Sequence, residues 1–175
     1  VLMQMVAGYR TGTFIATREH RRFVEFADTV RSSHCIGLCY GVAGVGKTIS
    51  ARHYARWDCA ESLLYTWGPR DSSDDRAYEA LAQSRTVFYT PGVSNTLIAL
   101  RQDLQRLMKR VRLCIEQHRP VSDQSNSGTA AASGRIELVI IDESERLSAL
   151  ALEHIRDIFD RNPIGLILIG MPGIE

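Results

Sequence analysis

Cys35-Ile-Gly-Leu-Cys-Tyr-Gly-Val-Ala-Gly-Val-Gly-Lys-Thr48 is the stretch whose reading decides the fold. Its first six residues form a short, largely apolar run that stops at glycine, the pattern of a strand buried on both faces of a parallel sheet. The other eight, Gly41, Val42, Ala43, Gly44, Val45, Gly46, Lys47 and Thr48, satisfy GxxxxGK[ST] in full. Glycines here permit backbone conformations, and an approach to phosphate, that side chains obstruct. Successive backbone N–H groups and the start of the next helix then face an anion. Lys47 is expected to reach the β- and γ-phosphates of ATP, and the Thr48 hydroxyl to ligate Mg2+. A glycine-rich turn with no ligand is the bland alternative. It fits less well, because Ile49, Ala51, Tyr54 and Ala55 continue the motif as a helix to about Trp57.

A second acidic element matches the first. Leu138-Val-Ile-Ile-Asp142-Glu143 puts two carboxylates at the end of an apolar strand, where ligands of open α/β sheets collect. Asp142 is the expected outer ligand of magnesium. Glu143 is expected to orient and polarise the attacking water, since phosphoryl transfer depends on positioning and charge stabilisation. With Lys47 it forms the predicted catalytic set. Taken alone, the pair also reads as an acidic helix start favoured by the helix dipole. A carboxylate beside the magnesium ligand argues for water, rather than a metabolite, as the phosphoryl acceptor.

Away from these motifs the pattern alternates between strand and helix. Thr17 is a predicted N-cap for a helix through about Ser32, with Phe23, Phe26, Ala27 and Val30 on its apolar face. Residues 61–83 are weakly patterned, with a short helix over 76–83. Residues 86–90 read as a strand ending at Pro91-Gly92, and Ser94 or Asn95 caps a long helix to about His118 whose stripe is Leu97, Leu100, Leu104, Leu107, Val111 and Cys114. Residues 122–134 read as a mobile surface loop. Residues 136–141 are a strand and 144–160 a helix with Leu147, Leu150, Ala151, His154, Ile155 and Ile158 on one face. Residues 164–169 are a further strand. The order implies one domain over residues 1–175, a three-layer α/β parallel sheet of P-loop NTPase type flanked by helices.

Composition narrows the function. At 175 residues, 45% hydrophobic, 23% charged and a formal net charge of +1, the chain has no strongly basic balance, so DNA binding has to be local. The basic residues Arg101, Arg106, Lys109, Arg110, Arg112 and Arg119 on the long helix offer one such place; an ordinary solvated face, interrupted by Asp103 and Glu116, is the simpler reading. No apolar run is long enough to span a membrane. The four cysteines form no CxxC pair, and Cys35 and Cys39 stand about 13 Å apart along one strand, too far to bridge. A reducing, cytoplasmic setting is expected.

Together with both motifs, Val87-Phe-Tyr-Thr-Pro-Gly-Val93, Ile155-Arg-Asp-Ile-Phe-Asp-Arg161 and Gly165-Leu-Ile-Leu-Ile-Gly-Met-Pro-Gly173 resemble the TniB/TnsC/MuB group of AAA+ transposition ATPases, TniB-like proteins above all. The resemblance implies an ATP-dependent homo-oligomer on DNA that helps select the insertion target and recruits a transposase. It also implies an adenine pocket near residues 13–17. A polar sensor is expected close to Met171, which is no strong donor, so the Gly170 backbone or a residue elsewhere would serve. The fifth strand, arginine finger and helical lid of that group are expected beyond Glu175, so the chain reads as a truncated domain. A nucleotide-gated binding module with vestigial hydrolysis, or an AAA+ role in replication initiation or secretion, are the competing functions.

Overall fold

A computed structural model describes residues 14–93, 96–118 and 135–172. The elements run α1 (Arg18–Ser33), β1 (Ile36–Tyr40), α2 (Lys47–Tyr54), α3 (Glu61–Tyr65), α4 (Asp75–Ser84), β2 (Thr86–Tyr89), α5 (Leu97–Gln117), β3 (Leu138–Ile141), α6 (Ala149–Asp160) and β4 (Gly165–Gly170). Short 3₁₀ turns at Trp57–Cys59, Ser72–Asp74 and Ser144–Arg146 join them. The four strands are all parallel, in the order β1-β4-β3-β2. The strands that end in the two motifs, β1 and β3, therefore flank β4. Their carboxyl ends open on one edge of the sheet.

Helices cover both faces. Along β3 and β4, Leu138, Ile140, Ile167 and Ile169 alternate with Val139, Ile141, Leu166 and Leu168, and all but half-buried Leu168 are buried. Leu104 and Met108 of α5 meet Val139 and Ile141 on one face, with Ile155, Ile158 and Phe159 of α6 beside them. On the other face α1 lies close to the sheet, because Gly165 brings its Cα against the Val30 carbonyl: a Cβ there would stand 2.7 Å from that oxygen. Trp57 and Phe88 extend the same layer, with ring centroids 6.0 Å apart.

Far from the site edge, Arg31 ties α1, α2 and α4 to the residue before β3. Its guanidinium donates to Glu137 Oε2 at 2.7 Å, to the Tyr54 hydroxyl at 3.3 Å and to the Ser84 carbonyl, and Arg85 donates to Glu137 Oε1 at 2.9 Å. Tyr54 in turn donates to Asp28 at 2.6 Å. Burial and that bond push the Tyr54 hydroxyl up to about 12.

Thr17 caps α1 as expected, accepting from the His20 N–H at 3.1 Å. Several other expectations change. Thr96, not Ser94 or Asn95, caps α5, accepting from the Ala99 N–H at 3.2 Å. The helix expected from Ser144 begins only at Ala149, capped by Ser148, because the chain first makes the 3₁₀ turn. That phase turns Leu150 outward, 70% exposed, while Ala151 and Ile155 are buried. Helix α2 ends at Tyr54, and Trp57 enters the core from the next turn. Residues 61–83 hold two helices rather than one. β1 is buried on one face alone: Ile36, Leu38 and Tyr40 are 44%, 42% and 54% exposed, since β1 is an edge strand and no described element covers that face. The expected loop at 122–134 lies outside the described residues.

Candidate nucleotide site

The loop after β1 turns sharply into α2. Gly44 and Gly46 have φ of 83° and 86°, a region that only glycine enters without strain, and nothing lies within 4 Å of a Cβ built on either. Backbone conformation, not crowding within the protein, demands glycine at these two positions. Gly46 is also the N-cap of α2 and offers no side chain, so the helix presents its first N–H groups outward, as an anion site requires. Lys47 Nζ is held over the loop by the carbonyls of Gly41 at 2.6 Å and Val42 at 3.0 Å. Those two residues carry the lysine. Residues 43–48 line the cavity itself.

That cavity, of about 290 Å³, is closed on its other side by Asp142, Glu143 and Glu145 from the end of β3 and by Ile169, Gly170 and Met171 from β4. Every predicted site residue is either in its lining or holds a lining side chain. Asp142 is 3% exposed, and its Oδ1 accepts from the Glu143 N–H at 3.0 Å. Burial raises the Cys39 thiol above its usual value, Lys47 opposing and Asp142 reinforcing that rise, as expected where an ammonium and a carboxylate share one small volume.

Thr48 and Asp142 bring a hydroxyl and a carboxylate to one cavity, a hard-oxygen donor pair suited to magnesium. Among the described residues no group of three His, Cys, Asp or Glu is placed to hold a metal alone. Magnesium does not need one, because it keeps waters and substrate phosphates in its shell.

Two residues at this site escape the sequence reading. Ser144, 2% exposed, donates its hydroxyl to the Ile169 carbonyl at 2.8 Å and so fastens the turn after β3 to β4. Arg146 donates to the Pro91 carbonyl at 2.9 Å and is paired with Glu143. Only its spacing of three from Glu143 hints at this. Glu143 itself sits at φ 49°, ψ 44°, a left-handed conformation that costs a non-glycine residue about 1–3 kcal/mol.

The AAA domain family profile matches residues 30–175. The chain belongs to the AAA domain family. A "Potential ATP-binding protein" of Staphylococcus aureus is 34% identical over 165 residues, covering 93% of this chain and 60% of that protein. The "Mu-like prophage FluMu DNA transposition protein B" of Haemophilus influenzae is 26% identical over 157 residues, covering 90% and 45%. The AAA domain chain thus spans about half to three fifths of the relatives it matches. Both sequence motifs fall within the part the family profile covers.

Elsewhere in the AAA domain, Phe14 stacks on His53 of α2 at 3.6 Å between ring centroids, with His20 edge-on to both. Phe14 falls within residues 13–17, where the resemblance expects an adenine pocket, but His20 and His53 line a cavity that shares no residue with the one around Lys47. Of the basic residues on α5, Arg106 is paired with Asp103, and Arg110 is spent on the Leu64 carbonyl and the Trp67 ring. Arg101, Lys109 and Arg112 remain exposed on that helix, and Arg119 lies outside the described residues. Among the described residues no helix is long and apolar enough to cross a membrane.

Proposed function

We propose that this AAA domain binds Mg-ATP in the cavity between residues 41–48 and Asp142-Glu143, hydrolyses it, and uses the cycle to regulate DNA transposition. The observation that carries the chemistry is the shared cavity, in which a P-loop lysine and helix start after β1 face two carboxylates from the end of β3, across β4. The N–H groups of the loop and of α2 bind phosphate oxygens, and Lys47 offsets charge on the β- and γ-groups. Thr48 and Asp142 would hold magnesium, which supplies further positive charge against the transferring phosphoryl group. Glu143 accepts a hydrogen bond from the attacking water and aims it at the γ-phosphorus; as the new P–O bond forms, the bond from phosphorus to the β–γ bridging oxygen breaks, and ADP and phosphate leave.

The transposition role is supported by the likeness to a DNA transposition protein and by the segments around Tyr89 and Met171. It implies DNA and a transposase as partners and an ATP-dependent homo-oligomer. Phosphate release with and without duplex DNA, over a range of protein concentrations, tests this. Stimulation by DNA that grows with concentration is expected; equal rates throughout would count against it. Full function in a Glu143→Gln variant would favour a nucleotide-gated module instead.

A further inference from the structure

We infer that Arg146 is a positioning residue for this hydrolysis: it grips one oxygen of the Glu143 carboxylate from an anchor on the Pro91 carbonyl and so fixes where Glu143 meets the attacking water. The inference rests on the hydrolytic reading above.

The guanidinium makes a bridge. Its NH1 donates to the Pro91 carbonyl at 2.9 Å, and its NH2 is in close ionic contact with Glu143 Oε2. Pro91 is buried and lies two residues past the end of β2, so the anchor is close to the sheet framework. Glu143 Oε2 is sealed from solvent although the side chain as a whole is 40% exposed. Glu143 also lines the cavity, and one of its carboxylate oxygens is in contact with Arg146.

An ordinary exposed pair three residues apart contributes little and leaves both side chains free to swing. This pair differs in two respects. One carboxylate oxygen is buried, and the arginine is held from a point 55 residues away in sequence. The backbone is fixed as well, since Glu143 lies in the left-handed region and its carbonyl accepts from the Arg146 N–H at 3.0 Å. The planar fork of arginine lets one nitrogen donate to the Pro91 carbonyl while the other lies in ionic contact with Glu143, a division an ammonium makes only in part. Without it the carboxylate gains rotamers, and a displacement near 1 Å is enough to lose in-line attack.

The test compares ATP turnover and ATP affinity, with thermal melting as a fold check, in Arg146→Ala, Arg146→Lys, Glu143→Gln and the Arg146→Ala/Glu143→Gln double variant. Arg146→Ala should lower kcat about 10- to 100-fold while ATP affinity changes by less than about 2-fold. Arg146→Lys, which keeps the charge and guards against a folding failure, should fall between. The double variant should be no slower than Glu143→Gln alone, because Arg146 acts through that carboxylate. A kcat at or above wild type in Arg146→Ala, or losses that multiply in the double variant, would overturn the inference. A Glu143→Gln rate equal to wild type would overturn the hydrolytic reading instead.

Discussion

Gly46 and Gly165 are both glycines, but for opposite physical reasons. Gly46 has open space around its missing Cβ and a φ of 86°, so Gly46→Ala should cost about 1–2 kcal/mol through backbone strain alone. At Gly165 the clash is with the Val30 carbonyl, which cannot move without α1, and Gly165→Ala should cost about 1–3 kcal/mol or more. Urea melts of the two variants should rank them in that order. Ser144→Ala removes a buried donor to the Ile169 carbonyl and should lower stability by about 1–2 kcal/mol, with ATP turnover falling as the Glu143 turn loosens. Residues of the glycine loop and Asp142-Glu143 were legible because their task is written into neighbouring positions. Ser144 and Arg146 were not, because their partners, Ile169 and Pro91, meet them only through the strand order.

Among the elements, caps and strand faces separate what local pattern can tell from what tertiary placement decides. Thr17 was legible as a cap because an apolar periodicity starts directly after it. Thr96 and Ser148 were missed by one or a few residues, since several serines, threonines and asparagines compete at each helix start. Thr96→Ala should cost about 1 kcal/mol, roughly 2–4 °C in Tm, by calorimetry. The one-sided exposure of β1 was illegible, as an apolar run does not reveal whether its strand is central or at an edge. At the α1–α2 junction, His20 and His53 are held below the ordinary imidazole value by burial, with His53 and Arg56 respectively adding to it. The unfolded chain then binds more protons than the folded one once pH falls below about 6.5. Stability should therefore decline as pH drops from about 7 toward those lowered values, and His53→Gln should flatten that decline in Tm measured against pH.

For the molecule as a whole, alternation of strands and helices was enough to fix a parallel three-layer α/β architecture, but not the order β1-β4-β3-β2. That order is what makes the site. It sets β4 between the strands that carry the glycine loop and the acidic pair, so two segments about a hundred residues apart in sequence face one cavity. The central claim, that this cavity both binds and hydrolyses ATP, is tested most directly by measuring ATP affinity and phosphate release in Lys47→Ala and Glu143→Gln beside the wild type. Lys47→Ala should lose nucleotide affinity, and Glu143→Gln should keep it while kcat falls about 10²- to 10³-fold. ATP bound as tightly by Lys47→Ala as by the wild type, or unaltered turnover in Glu143→Gln, would contradict the account.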